Sequence, residues 1–545
     1  MVSFFDRETG LNVSRRLRAW VTFLFVLGSF CFCSSSWASP ADVPLHHWSY
    51  GAVERLAAQG LCRGLGLGIR PLTRDWLASR VAEALQAVEE EDLNLSHELA
   101  YQIEEDLLRL SHEFAPELKE GGVSIGGHGE GRSAGDPFQW KALLFQTELL
   151  SEPVITSFKK QTSSSLVENS NGFRLQDGFN GRWHLPSWLS VGDWFAVTVD
   201  PSLRARKENS DTDLDFEEVS LKLAYRNLEL SGGELNFWWG PGTHGDLLLT
   251  NNTRPLPALS LRSKEAFQLP WKLDLLGRWQ AQLIGVQLEE KRDVQKPLLT
   301  GIRLEWSPIR RIVMGGAHTA LFGGKSEDGG VADFFNALDP TSGGGETERA
   351  DHLFGGDLRL FFPELARWVK LGTGLEVYGE FFGEDTSGFY IPRFTSVLGG
   401  FLITDLFSLP GLDFRFEGAK TDSIAYEHFV YTSGYRFKNE FIGHHAGADA
   451  DDIFLRLVKE FSFQERRLIA GAQVDRERSG LSGSPLSFGQ TALIKNEFQL
   501  DLAHEFTDTL SITVAYQFED INNFQGSSGV DSHNHIVTLQ TRLRF

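Results

Sequence analysis

The chain has 545 residues, with 73 Asp and Glu against 52 Lys and Arg and a formal charge of −21. That acidity excludes a nucleic-acid binder, which needs clustered cations, and offers no polybasic segment to hold a membrane surface. The 55 Gly and 42 Phe suit a β-rich chain with many turns.

The N-terminus reads as a secretory signal. Arg15, Arg16 and Arg18 form a positive start, Trp20 to Cys33 an apolar run, and Ser36-Trp37-Ala38 a small-x-small cleavage site. Cys31 and Cys33 would leave with this peptide. Cys62 would then stand alone, with no intramolecular disulfide, and is expected to be a buried structural thiol. No later run of ~18 apolar residues predicts a transmembrane helix. An exported chain of this kind is periplasmic, secreted or a membrane barrel, and its strand pattern must decide.

Residues 45 to 118 carry helical periodicity. Ala52, Val53, Leu56 and Ala57 share one helix face, and that helix should stop near Gly60. Thr73 is a candidate N-cap for a second helix with Trp76, Leu77, Val81, Ala84, Leu85 and Val88 inward. Leu99, Ile103, Leu107, Leu108 and Leu110 mark a third, ending near Pro116. The acidic runs Glu89 to Asp92 and Glu104 to Asp106 read as solvated helix faces.

From about residue 122 the period becomes two. Val219, Leu221, Leu223 and Tyr225 alternate with Ser220, Lys222, Ala224 and Arg226. Ile302 and Leu304 alternate with Arg303 and Glu305, and Val537, Leu539 and Leu543 with Thr538, Gln540 and Arg544. One oily face and one charged face need lipid outside and water inside. Periodicity alone also fits a soluble β-sandwich or propeller. The charged second face, strand after strand, favours a barrel with a wet lumen. The 424 residues from 122 to 545, at about 20 to 26 per strand with its turn, allow roughly 16 to 20 strands, with an even number near 18 expected. The fold class is therefore mainly β: a large antiparallel transmembrane β-barrel with a small N-terminal α-helical bundle. Expected boundaries are 1–38 for the signal, 39–121 for a periplasmic helical module and 122–545 for the outer-membrane barrel. Gly323 to Asp333, Asp339 to Glu348, His444 to Asp452 and Ser479 to Ser487 read as long loops on the cell-exterior rim. The terminal strand ends on Phe545 and resembles the recognition signal read by barrel-assembly machinery.

One stretch, Phe237 to Pro257, does not alternate. It runs Trp238-Trp239-Gly240-Pro241-Gly242-Thr243-His244-Gly245-Asp246, and continues through Asn251-Asn252 to Arg254-Pro255. Adjacent tryptophans cannot both face lipid, so at least one should point inward or over a loop. Trp rings stack on sugars, and Asn, Asp and Arg bind hydroxyls and carboxylates. An interfacial aromatic belt is the plainer reading of either Trp. Trp238, Trp239, His244, Asp246, Asn251, Asn252 and Arg254 are thus candidate polysaccharide-binding residues. Arg262 and Arg393 join them as cations able to attract an acidic glycan, with an intra-barrel ion pair as the ordinary alternative for each arginine. His244 and Asp246 lack a nucleophile motif beside them, so no catalytic residue is expected. His444 and His445 with Asp449, Asp451 and Asp452 have metal-ligand chemistry. A solvated loop is the expectation, because adjacent His rarely share one ion, and His533 and His535 near a turn carry the same reading. No metal or cofactor is expected.

The run Trp238 to Asn252 with Arg254-Pro255 resembles the signature of the Wzi-type capsule-assembly proteins. Trp48-Ser49-Tyr50, Glu54-Arg55-Leu56, Gly60, Arg70-Pro71, Thr73-Arg74 and Ser111-His112-Glu113-Phe114 are similar to that family's helical part. The resemblance implies a barrel of about 18 strands, a helical bundle at its periplasmic end, and attachment of capsular polysaccharide to the cell. Expected partners are that polysaccharide, outer-membrane lipid and the assembly machinery. Trp48, Gly60 and Thr73-Arg74 also resemble a surface-layer-homology motif, which makes peptidoglycan a rival partner of the module. A passive channel and an outer-membrane enzyme are the competing functions.

Overall fold

The computed structural model describes residues 39–90, 96–120, 143–159, 165–206, 212–325, 350–384, 396–463, 466–482, 491–524 and 528–545. The signal at 1–38, Arg393, the loop at 339–348, and parts of the loops at 323–333 and 479–487 lie outside them, as do residues 122–142 of the expected barrel.

The helical module comprises α1 (Ser49–Ala58), α2 (Arg74–Glu90), α3 (His97–Glu113) and α4 (Ala115–Glu120). Thr73 Oγ1 accepts the Trp76 N–H at 3.1 Å, and the Ser96 side chain caps α3. The third helix ends at Glu113, and Pro116 opens a further short one, because proline's missing N–H costs nothing in a first turn. The apolar stripes meet in one core around Val53, Leu56, Trp76, Leu77, Leu107, Leu110 and Phe114. Cys62 is buried there, and burial pushes its thiol up to about 12.

The barrel strands follow in antiparallel order. They are β1 (Leu143–Lys159), β2 (Gly178–His184 continued by Ser187–Val191), β3 (Phe195–Arg206), β4 (Thr212–Tyr225) and β5 (Leu228–Leu235). Next come β6 (Leu256–Ser263 continued by Phe267–Gln268), β7 (Arg278–Gln287), β8 (Leu298–Ile309), β9 (Ile312–Phe322) and β10 (Asp351–Phe361). The wall continues with β11 (Gly374–Glu384), β12 (Ser396–Thr404), β13 (Leu412–Lys420) and β14 (Ala450–Phe463). It ends with β15 (Arg466–Ser479), β16 (Leu493–Glu505), β17 (Leu510–Asn522) and β18 (Ser532–Arg544). Pairing of β1 with β18, Leu149 opposite Leu543, closes an 18-strand cylinder with no free edge.

Alternation decides which face each residue takes. Leu221, Leu223, Tyr225, Ile302, Leu304, Val537 and Leu539 point outward and are exposed, whereas Ser220, Lys222, Arg303 and Glu305 point inward and are buried. Part of the inner face is taken up by ion pairs. Arg303 pairs with Asp357 at 2.8 Å and Glu305 at 3.0 Å, Arg359 with Glu376 at 3.0 Å, and Arg204 with Glu217 at 2.9 Å, all buried. Higher up, the inward residues Ile284, Val286, Leu299, Tyr378 and Phe382 pack against chain that folds into the lumen. Inward polarity on β8 and β10 therefore marks paired charges, while a polar cavity remains beside β1 to β4, lined by Glu152, Arg182, Asp200 and Glu217.

The module closes the end where the strand connections are short. Arg55 reaches Asp405 at 3.3 Å and also Asp413, Arg544 reaches Glu113 at 2.6 Å, and Lys264 reaches Asp75 at 2.9 Å. Arg262 lies between Asp42 and Glu229, each at 2.6 Å. The long connections gather at the opposite end.

Candidate functional site

The non-alternating stretch becomes a plug. It leaves β5, crosses the lumen and rejoins the wall at β6. Trp238–Trp239 forms a two-residue antiparallel ladder with Ile69–Arg70, so module and plug meet inside the barrel. Gly240 N–H donates to the Gly68 carbonyl at 3.1 Å. The glycines permit this closeness. Gly240 has φ +138°, and a Cβ there would lie 2.0 Å from Asp246 Oδ1.

The wall holds the plug through side chains aimed at its backbone. Glu417 Oε1 accepts the N–H groups of His244 at 3.0 Å and Gly245 at 2.9 Å. Its Oε2 accepts the Thr243 N–H at 2.8 Å and the Tyr378 hydroxyl at 2.7 Å. Glu380 accepts the Leu247 N–H at 3.1 Å, and Arg359 donates to the Pro241 carbonyl at 3.0 Å. Leu247, Leu248 and Leu249 then pack with Tyr426, Tyr431, Tyr435 and Ile442 of the long 421–449 connection. This apolar cluster joins the plug to the inner faces of β5 to β13.

That geometry relocates most of the candidate binding residues. Trp239 has no exposed surface and donates through Nε1 to Gln282 at 2.7 Å. Trp238 is buried and donates to the Gly242 carbonyl at 3.2 Å. Neither ring is in an outer aromatic belt, and neither offers a face to a sugar, because both sit in the plug. Asp246 and Asn252 are also fully buried. Burial and the neighbouring Glu380 hold the Asp246 carboxyl well above the usual range. Arg262 is an ion-pair residue between module and wall. Asn251 and Arg254 alone keep partial exposure among the described candidates, and Asn251 bonds the Asn169 carbonyl at 2.8 Å.

Two further features go beyond the candidate binding residues. The first is a recess of about 410 Å³ at the long-loop end, lined by Gly172, Arg174, Gln176, Arg206, Arg254, Lys438 and Glu440. Four cations face one carboxylate there, in a chain that is strongly acidic overall. Arg174 bonds Glu440 at 2.6 Å and Arg254 pairs with Asp215, while Arg206 Nε has no hydrogen-bond partner among the described residues.

The second is a cluster of imidazoles and carboxylates below that mouth. His444 and His445, expected in a solvated loop, are buried, because the 421–449 connection folds down into the barrel. His445 comes within 3.4 Å of Asp452 and 3.8 Å of Glu168. His244 comes from the plug to 3.4 Å from Asp452, 3.6 Å from Glu168 and 3.6 Å from Asp475. Burial opposes a charge on His244, but the Asp452 and Asp475 carboxylates outweigh it and hold the imidazole near 9. Asp449 and Asp451 face elsewhere: Asp449 accepts from Ser482, and Asp451 pairs with Arg478. His533 pairs with Asp520 at 2.9 Å.

A closed cylinder with an oily outer face, capped at one end by a helical module and crossed by an inner segment, defines an outer-membrane β-barrel. The capsule assembly protein Wzi family matches residues 156–536, and the chain belongs to that family. A 55.8 kDa protein in the cps region of Klebsiella pneumoniae is 27% identical over 214 residues, 38% of this chain and 41% of that protein, so the chain spans under half of that relative. The solved structure of Wzi from Escherichia coli shares the fold with a TM-score of 0.65 at 16% identity, over 92% of this chain and 99% of that one. It is described as an outer-membrane protein involved in group 1 capsule assembly and a carbohydrate-binding β-barrel.

Proposed function

We propose that the chain holds capsular polysaccharide at the outer mouth of a plugged barrel and catalyses no reaction. The observation that carries this reading is the cationic recess of Arg174, Arg206, Arg254 and Lys438, placed where the long loops gather. Guanidinium groups suit bidentate capture of sugar carboxylates, and a recess concentrates their attraction against the repulsion of an acidic chain. Arg254 is the sequence candidate that this role retains. The helical module and the segment crossing the lumen disfavour a passive channel. Burial of Asp246 in the plug disfavours turnover of a bulky substrate there.

The orientation follows from the same assignment. Residues 1–38 serve as the export signal, the helical module of 39–121 faces the periplasm, and the recess faces the cell exterior, where barrel loops are longer. The outward apolar residues contact outer-membrane lipid, and the strand ending at Phe545 engages the assembly machinery. Peptidoglycan has weaker support as a partner, because Thr73 and Arg74 are buried in the module's own packing.

The test is binding of the purified barrel to the organism's own surface polysaccharide. The double variant Arg206→Ala/Arg254→Ala should lose affinity by about 100-fold to 10,000-fold, since hydrogen bonds to charged groups are worth about 1.5–3 kcal/mol each. Equal binding by wild type and variant would remove the recess from the mechanism.

A further inference from the structure

We propose that the plug carries a binding site for one divalent cation of the zinc type, with His244 Nε2, His445 Nε2, Asp452 Oδ2 and Glu168 Oε2 as ligands. These four atoms close a ring. His244 to Asp452 is 3.4 Å, Asp452 to His445 3.4 Å, His445 to Glu168 3.8 Å, and Glu168 to His244 3.6 Å. Tetrahedral zinc with ligand distances of about 2.1 Å sets its ligands about 3.4 Å apart. These four edges are at, or slightly wider than, that spacing, and Glu168, His244 and His445 offer ligand atoms that all lie within 4.8 Å of one another.

A second observation points to a ligand independently. His244 Nε2, both ring nitrogens of His445, Asp452 Oδ1 and both oxygens of Asp475 are buried without a hydrogen-bond partner among the described residues. Buried polar atoms are almost always paired, and orphans gathered on four neighbouring residues need an explanation. The residues are themselves held in place. His244 stacks on Phe454 with centroids 4.1 Å apart, and His445 stacks on His444 at 4.4 Å. Glu168 turns its other oxygen to Lys495, which leaves Oε2 for the imidazoles.

The ligand set also selects. His444 Nδ1 accepts the Ala446 N–H at 3.3 Å, which places the ring proton on Nε2 and makes His444 a stacking neighbour rather than a ligand. Two imidazoles with two carboxylates suit zinc and similar borderline ions, whereas calcium and magnesium prefer all-oxygen shells. The ligands come from four separate segments: the connection after β1, the plug, the 421–449 connection and strand β14. An ion there would fasten the plug to the wall directly below the recess. The competing account is that a protonated His244 alone balances Asp452 and Asp475.

The experiment uses the full barrel purified in detergent and stripped by a chelator. It is titrated with zinc chloride, and separately with cobalt(II) chloride read by visible absorption. We expect one zinc per chain and the intense visible bands of four-coordinate cobalt. The variant His244→Ala/His445→Ala should weaken zinc by about 100-fold, and His533→Ala should match wild type. Zinc binding no tighter in wild type than in the double variant would overturn the proposal, as would cobalt that stays six-coordinate. The protonated-His244 account predicts that result. Should the double variant not fold, Asp452→Asn and the wild-type cobalt spectrum decide the matter in the same way.

Discussion

Glu417→Gln tests whether the wall holds the plug through its backbone. The carboxylate accepts three consecutive N–H groups, from Thr243, His244 and Gly245, and one hydroxyl from Tyr378. Glutamine keeps one acceptor oxygen. If that oxygen stays with His244 and Gly245, the new amide N–H₂ faces the Thr243 N–H, donor against donor. Tyr378 can turn to accept, which recovers one contact. The net loss is one hydrogen bond to a charged group plus one unsatisfied buried donor, together about 3 kcal/mol. That corresponds to roughly a 100-fold rise in the population with the plug released. Residue 417 points inward and the wall ladder does not depend on it, so the barrel itself should persist. Amide hydrogen exchange over residues 240–250 should accelerate by about the same 100-fold. Conductance in planar bilayers should rise from little to measurable. Exchange and conductance both unchanged, in a variant that retains its β circular dichroism, would refute the anchoring role.

Arg262→Ala should loosen the helical module, because it strands Asp42 and Glu229 as buried carboxylates. The cost is near the lower end of about 3–5 kcal/mol, since Lys222 still reaches Asp42 at 2.5 Å; limited proteolysis of residues 39–120 measures it. Cys62, with its thiol pushed up to about 12, should resist maleimide in the native barrel and label fully after denaturation. Burial alone would raise the Glu113 carboxyl, but His47, Arg74 and Arg544 outweigh it and hold it at about 2. A depressed native value stabilises above the unfolded value of 4.5, and that contribution is lost as pH falls from there towards 2. The module should therefore become protease-sensitive between those limits by up to about 3 kcal/mol, and a module equally resistant at pH 6 and pH 3 would contradict the sign.

Barrel, helical module and the odd segment were all legible in the residue order, each for a local reason. Period two in Val219 to Arg226 and Ile302 to Glu305 separates an oily face from a polar one within a single strand, whatever its neighbours. The helix stripes of Val53-Leu56 and Leu107-Leu110 need only a 3.6-residue turn. Gly240-Pro241-Gly242 announces a chain that cannot be a regular strand. What the inward faces contain was decided by tertiary structure. Arg303 and Lys222 look the same in sequence whether they meet water or Asp357 and Asp42, because the pairing joins strands far apart in the chain. The two tryptophans read as belt or sugar platform, and only the ladder with Ile69–Arg70 makes them plug core. His445 and Asp452 stand close together in the sequence, but Glu168 lies 284 positions before Asp452 and His244 is also distant from both, so no spacing rule could unite the four. Periodicity is a property of neighbouring residues, while the lumen's contents depend on which distant segments the closed cylinder forces together.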